Sequence, residues 1–207
     1  MTRRRTIIAA CTALPLALHR PVGAQAADTL DLAGAKYPPT QSLAGATLVL
    51  NGAGIRYRFV VKVYAAGLYL QAKAGTPEAV YAATGPKRML LSMLRDIDAN
   101  ELGKLFTRAM QDNLTREEFA RLIPGTVRLA EMFQAKKRLA PGEWFSIDWV
   151  PGKGSTVVVN GKPQGEPIAE PEFFNGLMRI WLGKSPADQA LKEALLGMPA
   201  RPAPGTQ

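Results

Sequence analysis

Two residue types on which many enzymes depend are almost missing from this chain of 207 residues. The one cysteine is Cys11 and the one histidine is His19, and both lie within residues 1–26. The rest of the chain therefore has no thiol or imidazole nucleophile, no histidine general base and no disulfide. It also lacks the usual ligands of zinc, iron and haem, so we expect no metal site and no cofactor.

Long apolar runs are missing as well. After residue 26 no segment approaches the ~20 apolar residues that a membrane-spanning helix needs. Residues 1–26 have the pattern of a signal peptide: basic residues at 3–5, a short apolar segment at 7–18 and a small-x-small motif that ends at Ala26. Arg4-Arg5 is also typical of a twin-arginine signal, so both that route and the Sec route stay open. We expect export to the periplasm, with cleavage near Ala26.

The charge of the chain argues against a nucleic-acid partner. Residues 1–26 contain four of the 26 basic residues and no acid, which leaves 22 basic against 17 acidic residues, a formal charge of +5. These charges are mixed along the sequence, whereas nucleic-acid binders concentrate basic residues in one patch. The small excess favours anionic ligands or surfaces. Nothing in the sequence indicates an oligomeric state.

The apolar periodicity predicts one α+β domain over residues 28–197, followed by a disordered tail at 198–207 that is rich in Pro and Gly. Strands are predicted at 47–50, 55–71, 87–94, 144–150 and 156–159. Helices are predicted to begin near Thr76, Asp98, Thr115, Pro124, Pro171 and Ser185. With no repeat and no long linker, this pattern indicates a hairpin-rich sheet with helices on one face.

The segment from Asn51 to Leu70 combines apolar residues with polar ones that a core strand would not favour. Its first four residues, Asn51-Gly52-Ala53-Gly54, are predicted to form a turn, because Asn and Gly tolerate positive φ. The polar residues of the following strand are Arg56, Arg58, Lys62 and Tyr64. We therefore expect any ligand site to lie in this segment.

Arg56 and Tyr64 form a candidate site only if the chain bends between them. A straight strand would separate them by ~26 Å, whereas a bend near Val60 would bring them together. A guanidinium and a phenol that converge in an apolar pocket can both donate to a carboxylate or a phenolate. The alternative is that Arg56 and Arg58 are solvated and Tyr64 simply packs in the sheet.

The motifs NGAGIR and KVYAAGLYL in this segment resemble the chalcone isomerase family. In that family a Gly-Gly-Ala-Gly-x-Arg segment precedes a Lys-Phe-Thr-Ala-x-Gly-x-Tyr-Leu strand. The similarity continues through LRDIDANELGKLF, PGKGSTVVVNGK and IWLGKSP, and it is greatest toward the exported bacterial chalcone isomerase-like proteins. The resemblance implies an open-faced β-sandwich, in which a large antiparallel sheet has helices packed on one face and a ligand cleft between.

In the plant enzymes of this family an arginine stabilises the charge that develops during ring closure, and Thr, Tyr and Asn side chains order a water. Arg56 occupies the arginine position, and Tyr64 replaces the strand threonine. The other three positions fall near Glu101 or Leu102, near Arg108 and near Ile180. The resemblance thus makes Arg56 a catalytic residue only if the chain is an isomerase.

An arginine with a tyrosine at the threonine position looks like the fatty-acid-binding branch of the fold. The resemblance implies a non-catalytic binder of a fatty acid or similar apolar carboxylate, with Arg56 and Tyr64 at the head group and apolar residues of helices at 99–110 and 172–182 along the cleft. One alternative is an intramolecular lyase that acts on a phenolic ligand, with Arg56 as electrophilic catalyst. Another is a periplasmic partner or scaffold protein, which a cleft filled by side chains would favour.

Overall fold

The computed structural model of the chain describes residues 28–198. The strands are β1 (Leu30–Leu32), β2 (Ala35–Tyr37), β3 (Thr40–Leu43), β4 (Ala46–Arg58), β5 (Val61–Leu70), β6 (Lys87–Met93), β7 (Ile97–Asp98), β8 (Arg138–Leu139), β9 (Trp144–Val150), β10 (Gly154–Val159) and β11 (Lys162–Ile168). The helices are α1 (Pro77–Ala82), α2 (Ala99–Asn113), α3 (Arg116–Lys136), α4 (Pro171–Leu182) and α5 (Gln189–Leu195). The predicted signal peptide at 1–26, and residues 199–207 of the tail predicted at 198–207, lie outside the described residues.

A seven-stranded antiparallel sheet is the centre of the fold, with strand order β11-β10-β9-β6-β5-β4-β3. The short pairs β1–β2 and β7–β8 lie outside this sheet. The helices pack on one of its faces, which confirms the predicted α+β class and the large antiparallel sheet. Across residues 28–198, no helix is both long enough and apolar enough to cross a bilayer.

Alternating side chains of β5 supply both faces of the sheet. Tyr64, Ala66 and Leu68 belong to the main core beneath the helices. Ala65 and Tyr69 belong to a smaller cluster on the opposite face. That smaller cluster also contains Tyr37, Leu48 and Leu90, with Leu32 and Ala35 of the β1–β2 pair packed against it. β5 is therefore buried along most of its length, and it is a rigid base for side chains of the hairpin.

The turn predicted at Asn51–Gly54 is wrong, because β4 continues through these residues with a shift of register between Leu50 and Gly52. The two glycines allow close contact with α5: a Cβ at Gly52 would lie 2.0 Å from the carbonyl oxygen of Ala194, and one at Gly54 would lie 2.8 Å from its Cβ. Glycine inside a strand often marks such a close approach. Residues 51–54 therefore form the part of β4 against which α5 packs.

Asn51 fixes this contact with its side-chain amide. Its Nδ2 donates to the carbonyl oxygens of Leu195 at 2.7 Å and Ala74 at 3.0 Å. Its Oδ1 accepts from the backbone N–H of Ala74 at 2.7 Å. Asn51 is only 2% exposed. Because a buried amide is costly to leave unpaired, these bonds stabilise the junction of β4 with the end of α5, through Leu195, and with the segment after β5, through Ala74.

Replacing Gly52 with alanine is expected to lower the free energy of unfolding by at least ~1–3 kcal/mol, the usual cost of overpacking. The added methyl would meet backbone atoms of α5, which cannot rotate away as a side chain can. Urea denaturation of Gly52→Ala against the parent chain measures the loss. Gly75→Ala is the matched control, because a Cβ there has nothing within 4 Å; an equal effect of both changes would contradict the packing argument.

The predicted helix start at Pro124 is also wrong, since Pro124 lies inside the continuous helix α3. Proline there lacks the N–H of a helical hydrogen bond, and its ring crowds the preceding turn. Burial of Leu122 and Leu129 on either side holds the helix together. The prediction for Thr115 is confirmed: its Oγ1 accepts from the N–H of Glu118 at 3.1 Å, and a Glu118 carboxylate oxygen accepts from the N–H of Thr115 at 2.8 Å.

Candidate functional site

The β4–β5 hairpin brings Arg56 and Tyr64 together. The strands are joined at Phe59 and Val60, and their register places Arg56 directly opposite Tyr64. Directly opposed residues of an antiparallel pair project from the same face, ~5 Å apart at their Cβ atoms. Tyr64 belongs to the core beneath the helices, so both side chains lie on the helix side of the sheet. The bend that the candidate site required is present.

The guanidinium of Arg56 lies over the Tyr64 ring, with its Cζ 5.7 Å from the ring centroid. Arg56 as a whole is half-buried, and its Nε is fully buried without a hydrogen-bond partner among residues 28–198. No carboxylate of these residues forms an ion pair with it. A buried donor without an acceptor carries a free-energy cost that an incoming anion would remove.

Tyr64 supplies a second donor. It is 1% exposed, and its hydroxyl oxygen accepts a hydrogen bond from the indole N–H of Trp181 at 2.9 Å. Burial raises the pKa of Tyr64 to about 12, although the charge of Arg56 acts in the opposite direction. The phenol therefore keeps its proton at neutral pH, and that proton has no acceptor within residues 28–198. Arg56 and Tyr64 together offer two donors and no acceptor that is not already used.

Asp188 is an acid close to this pair, but its carboxylate is committed elsewhere. One oxygen accepts from the backbone N–H of Leu191 at 3.0 Å, as the N-cap of α5, and the other accepts from the N–H of Tyr57 at 3.0 Å. Its charge contributes to the raised pKa of Tyr64. Asp188 thus anchors α5 to the hairpin and leaves Arg56 unpaired.

Aromatic side chains fill the interior below the pair. The Phe106 ring lies 5.3 Å from Trp181 and 5.7 Å from Phe133, both in edge-to-face geometry. Phe133 in turn packs edge-to-face on Phe145 at 5.4 Å. Trp181 is fully buried, and Phe106 is 3% exposed. The apolar residues of α2 and α4 that the sequence placed along an open cleft are instead packed against one another.

Three surface cavities lie away from the pair. One of about 720 Å³ is lined by the turn after β1, by β2 and by β6, with Arg88 on β6 and Trp144 at the start of β9. One of about 500 Å³ lies around Tyr81 and Arg179, and one of about 280 Å³ lies between α2 and α3. Neither Arg56 nor Tyr64 lines any of the three. Access to the pair from these cavities therefore requires movement of side chains.

Other residues that the sequence singled out lie outside the site. Arg58 and Lys62 are exposed on the hairpin beyond Arg56. Glu101 and Arg108 are exposed on α2. Of the positions suggested by the resemblance, Leu102 and Ile180 are buried in the main core. No group of three or more His, Cys, Asp or Glu side chains within residues 28–198 is arranged to hold a metal ion.

Trp181 is the site residue that sequence reasoning assigned only to the core. It follows Ile180, the position suggested by the resemblance, and it is the residue whose side chain reaches Tyr64. The available signal was chemical: a buried tryptophan N–H normally has a hydrogen-bond partner. The sequence could not identify that partner, because Tyr64 and Trp181 are 117 positions apart.

Comparison with known proteins gives this arrangement a class and a family. A large antiparallel sheet with helices packed on one face is the architecture of the chalcone isomerase-like fold. The chain belongs to the chalcone isomerase-like family, whose sequence model matches residues 29–197.

A solved structure of the same fold is a fatty-acid binding protein of Arabidopsis thaliana. It superposes with a TM-score of 0.65 at 13% sequence identity, over 82% of this chain and 96% of the plant chain. At that identity the match supports the fold and assigns no residue role. No curated protein sequence matches the chain.

Proposed function

We propose that this protein, after export with residues 1–26 as its signal peptide, binds a fatty acid or a similar apolar carboxylate without transforming it. The carboxylate accepts from the guanidinium of Arg56 and the phenol of Tyr64. The observation that carries this proposal is the buried Nε of Arg56, which has no acceptor among residues 28–198 and lies beside a tyrosine whose proton is also free. Charge-assisted hydrogen bonds to such donors are the strong ones.

The hydrocarbon tail enters the core by displacing aromatic side chains. Trp181 donates to Tyr64 and packs edge-to-face on Phe106. The tail must separate these two rings to enter the core. Leu102 and Met110 continue the apolar lining along α2. The name of the Arabidopsis protein of the same fold supports this ligand class. In this proposal Trp181 releases the Tyr64 hydroxyl as the carboxylate arrives.

Binding is favoured over ring-closing isomerisation because of the side chains around Arg56. The family's isomerase chemistry, as the resemblance implies it, uses threonine, tyrosine and asparagine side chains to order a water near the arginine. Here the strand position is Tyr64, and the matching helix positions include the exposed Glu101 and Arg108. Arg56 alone of that set is retained, and it serves a binder as well as it serves an isomerase.

Fatty acid bound to the purified protein is the expected result of solvent extraction followed by mass spectrometry. Delipidated protein should then bind palmitic or oleic acid with one-to-one stoichiometry in calorimetry. Methyl palmitate is the control ligand, because it keeps the tail and removes the charge that Arg56 would pair with. Absence of lipid from the extract together with no heat from any of these acids would sink the proposal.

A second candidate is favoured by the closed interior: a periplasmic partner or scaffold protein with no ligand. No side chain among Tyr64, Trp181 and Phe106 is more than 3% exposed, as in an ordinary core. In that case Arg56 is unpaired because the protein no longer binds the ligand for which the cleft of the family is suited. The extraction and calorimetry separate the two candidates, since a scaffold protein carries no fatty acid and gains no stability from one.

A further inference from the structure

The loop of the β4–β5 hairpin is the most exposed apolar part of the described chain. Phe59 is 93% exposed and Val60 is 91% exposed, and Tyr57 and Val61 beside them are about two-fifths exposed, at 41% and 43%. The other large apolar residues that reach the surface are about half exposed or less. An aromatic side chain that projects almost wholly into water contributes almost no burial to the hairpin. We call residues 57–62 the hairpin tip.

The backbone of the hairpin tip is unfavourable for the residues it carries. Phe59 has φ of +56°, a left-handed conformation that bulky side chains rarely adopt. A two-residue hairpin loop with positive φ at its first central residue favours glycine there, and Asn tolerates that conformation much better than Phe. The chain instead has Phe-Val at these two positions. Strain at an exposed site of this kind points to a role outside the fold.

Basic residues flank the apolar tip. Arg58 and Lys62 are both exposed, and neither forms an ion pair within residues 28–198. The sequence contains no acidic residue between Asp31 and Glu78. The one carboxylate that contacts the hairpin tip among residues 28–198 is that of Asp188, which accepts from the backbone N–H of Tyr57 at the start of the tip and from that of Leu191. The tip is therefore cationic around an apolar point, which is complementary to an anionic lipid surface.

We propose that the hairpin tip docks the protein on an anionic membrane surface. Phe59 and Val60 insert among the lipid chains near the head groups, and Arg58 and Lys62 pair with lipid phosphates. Aromatic residues favour this interfacial depth, and basic side chains can place their charge at the head groups while their stems stay apolar. This explains an exposed Phe-Val pair that the fold itself does not need.

The hairpin tip lies close to Arg56, so docking would also place the Arg56–Tyr64 pair near the membrane. Arg56 lies on β4 three residues before Phe59 of the loop, a distance of ~10 Å in extended chain. A docked tip would hold the Arg56–Tyr64 pair just above the lipid surface, where fatty acids partition. The docking proposal does not rest on fatty-acid binding, because it is argued from the tip alone.

Sedimentation with lipid vesicles tests the proposal on the full chain. The parent protein should bind vesicles of phosphatidylcholine with phosphatidylglycerol and bind pure phosphatidylcholine more weakly. The double variant Phe59→Asn/Val60→Gly should lose at least ~10-fold in vesicle partitioning, because it removes the apolar insertion. Its thermal stability should be unchanged or raised, because Asn-Gly relieves the strained turn. Residues 1–26 are basic and apolar and can bind anionic vesicles themselves, so each variant is compared with the parent both as the full chain and as the exported chain that begins after Ala26.

The matched control is Ile123→Ser/Val127→Ser, which removes two half-exposed apolar residues of α3 far along the chain from the tip. It should keep the vesicle binding of the parent. The proposal is overturned if the parent does not sediment with anionic vesicles, if the Asn-Gly variant binds as well as the parent, or if the α3 control loses as much. Calorimetry of the Asn-Gly variant with palmitic acid in vesicle-free buffer reports on the Arg56–Tyr64 pair separately, so failure of one proposal is distinguishable from failure of the other.

Discussion

Replacing Arg56 with glutamine is expected to weaken palmitic acid binding by at least tenfold, since a hydrogen bond to a charged group contributes ~1.5–3 kcal/mol. Glutamine keeps most of the side-chain stem but removes the cation that the carboxylate would pair with. The buried Nε of Arg56 has no acceptor within residues 28–198, so little in the described structure competes for it. Isothermal titration calorimetry of delipidated protein measures the change.

Arg58→Gln is the matched control for this experiment. It makes the same change in charge two residues along the same strand, at an exposed position outside the pair. Its affinity in vesicle-free buffer should equal that of the parent. Equal affinity of Arg56→Gln and the parent would refute a head-group role for Arg56. Turnover of a chalcone by the parent, lost in Arg56→Gln, would instead favour the isomerase alternative.

Tyr64→Phe refines the same test. The change removes the phenol proton that the carboxylate would accept, and it also leaves the indole N–H of Trp181 without its acceptor. If Arg56 and Tyr64 act on one carboxylate, the two changes should be non-additive in a double-mutant cycle. A coupling energy of this kind would show that Arg56 and Tyr64 contact the same carboxylate.

The sequence predicted those elements that depend on neighbouring residues. The caps at Thr76, Asp98 and Thr115 act on N–H groups three residues away, and each is present. The predicted start of the last helix near Ser185 is wrong by about one turn, because Asp188 supplies the cap and α5 begins at Gln189. The hairpin between β9 and β10 follows from alternating apolar residues around a Pro-Gly-rich loop. The family motifs then supplied the architecture that local patterns could not, and they singled out Arg56 and Tyr64. Only the structure shows that the turn between β4 and β5 places these two residues opposite each other.

The errors arose where distant contacts override local preference. Asn51–Gly54 has the composition of a turn, yet Gly52 is required because α5, more than 140 positions away, packs on it. Pro124 resembles a helix start, yet burial on both sides keeps α3 continuous. The closed interior at Trp181 has the same origin, because a stripe of apolar residues does not reveal whether its members line a cleft or fill it.

Trp181→Ala is expected to lower the free energy of unfolding by ~3–5 kcal/mol, as for other large aromatic residues in a core. Trp181 is fully buried, packs on Phe106 and donates to Tyr64, so its removal leaves both a cavity and an unpaired hydroxyl oxygen. Denaturation in urea without ligand measures this loss. Trp181→Phe is the milder companion, since it removes the N–H donor but keeps a ring, and it should stay folded if the alanine variant does not.

The same variants distinguish a ligand-binding core from a closed one. If Trp181 occupies space that a fatty-acid tail takes, removing it should strengthen palmitic acid binding, and saturating acid should restore part of the lost stability. Phe133→Ala is the matched control. Phe133 is 3% exposed and packs on Phe106 and Phe145, but it has no group that can form a hydrogen bond with Tyr64. It should be destabilised to a similar degree without tighter binding at the Arg56–Tyr64 pair. If Trp181→Ala gains neither affinity nor ligand-dependent stability, the interior is an ordinary core, and the partner or scaffold function accounts better for this protein than a binding function does.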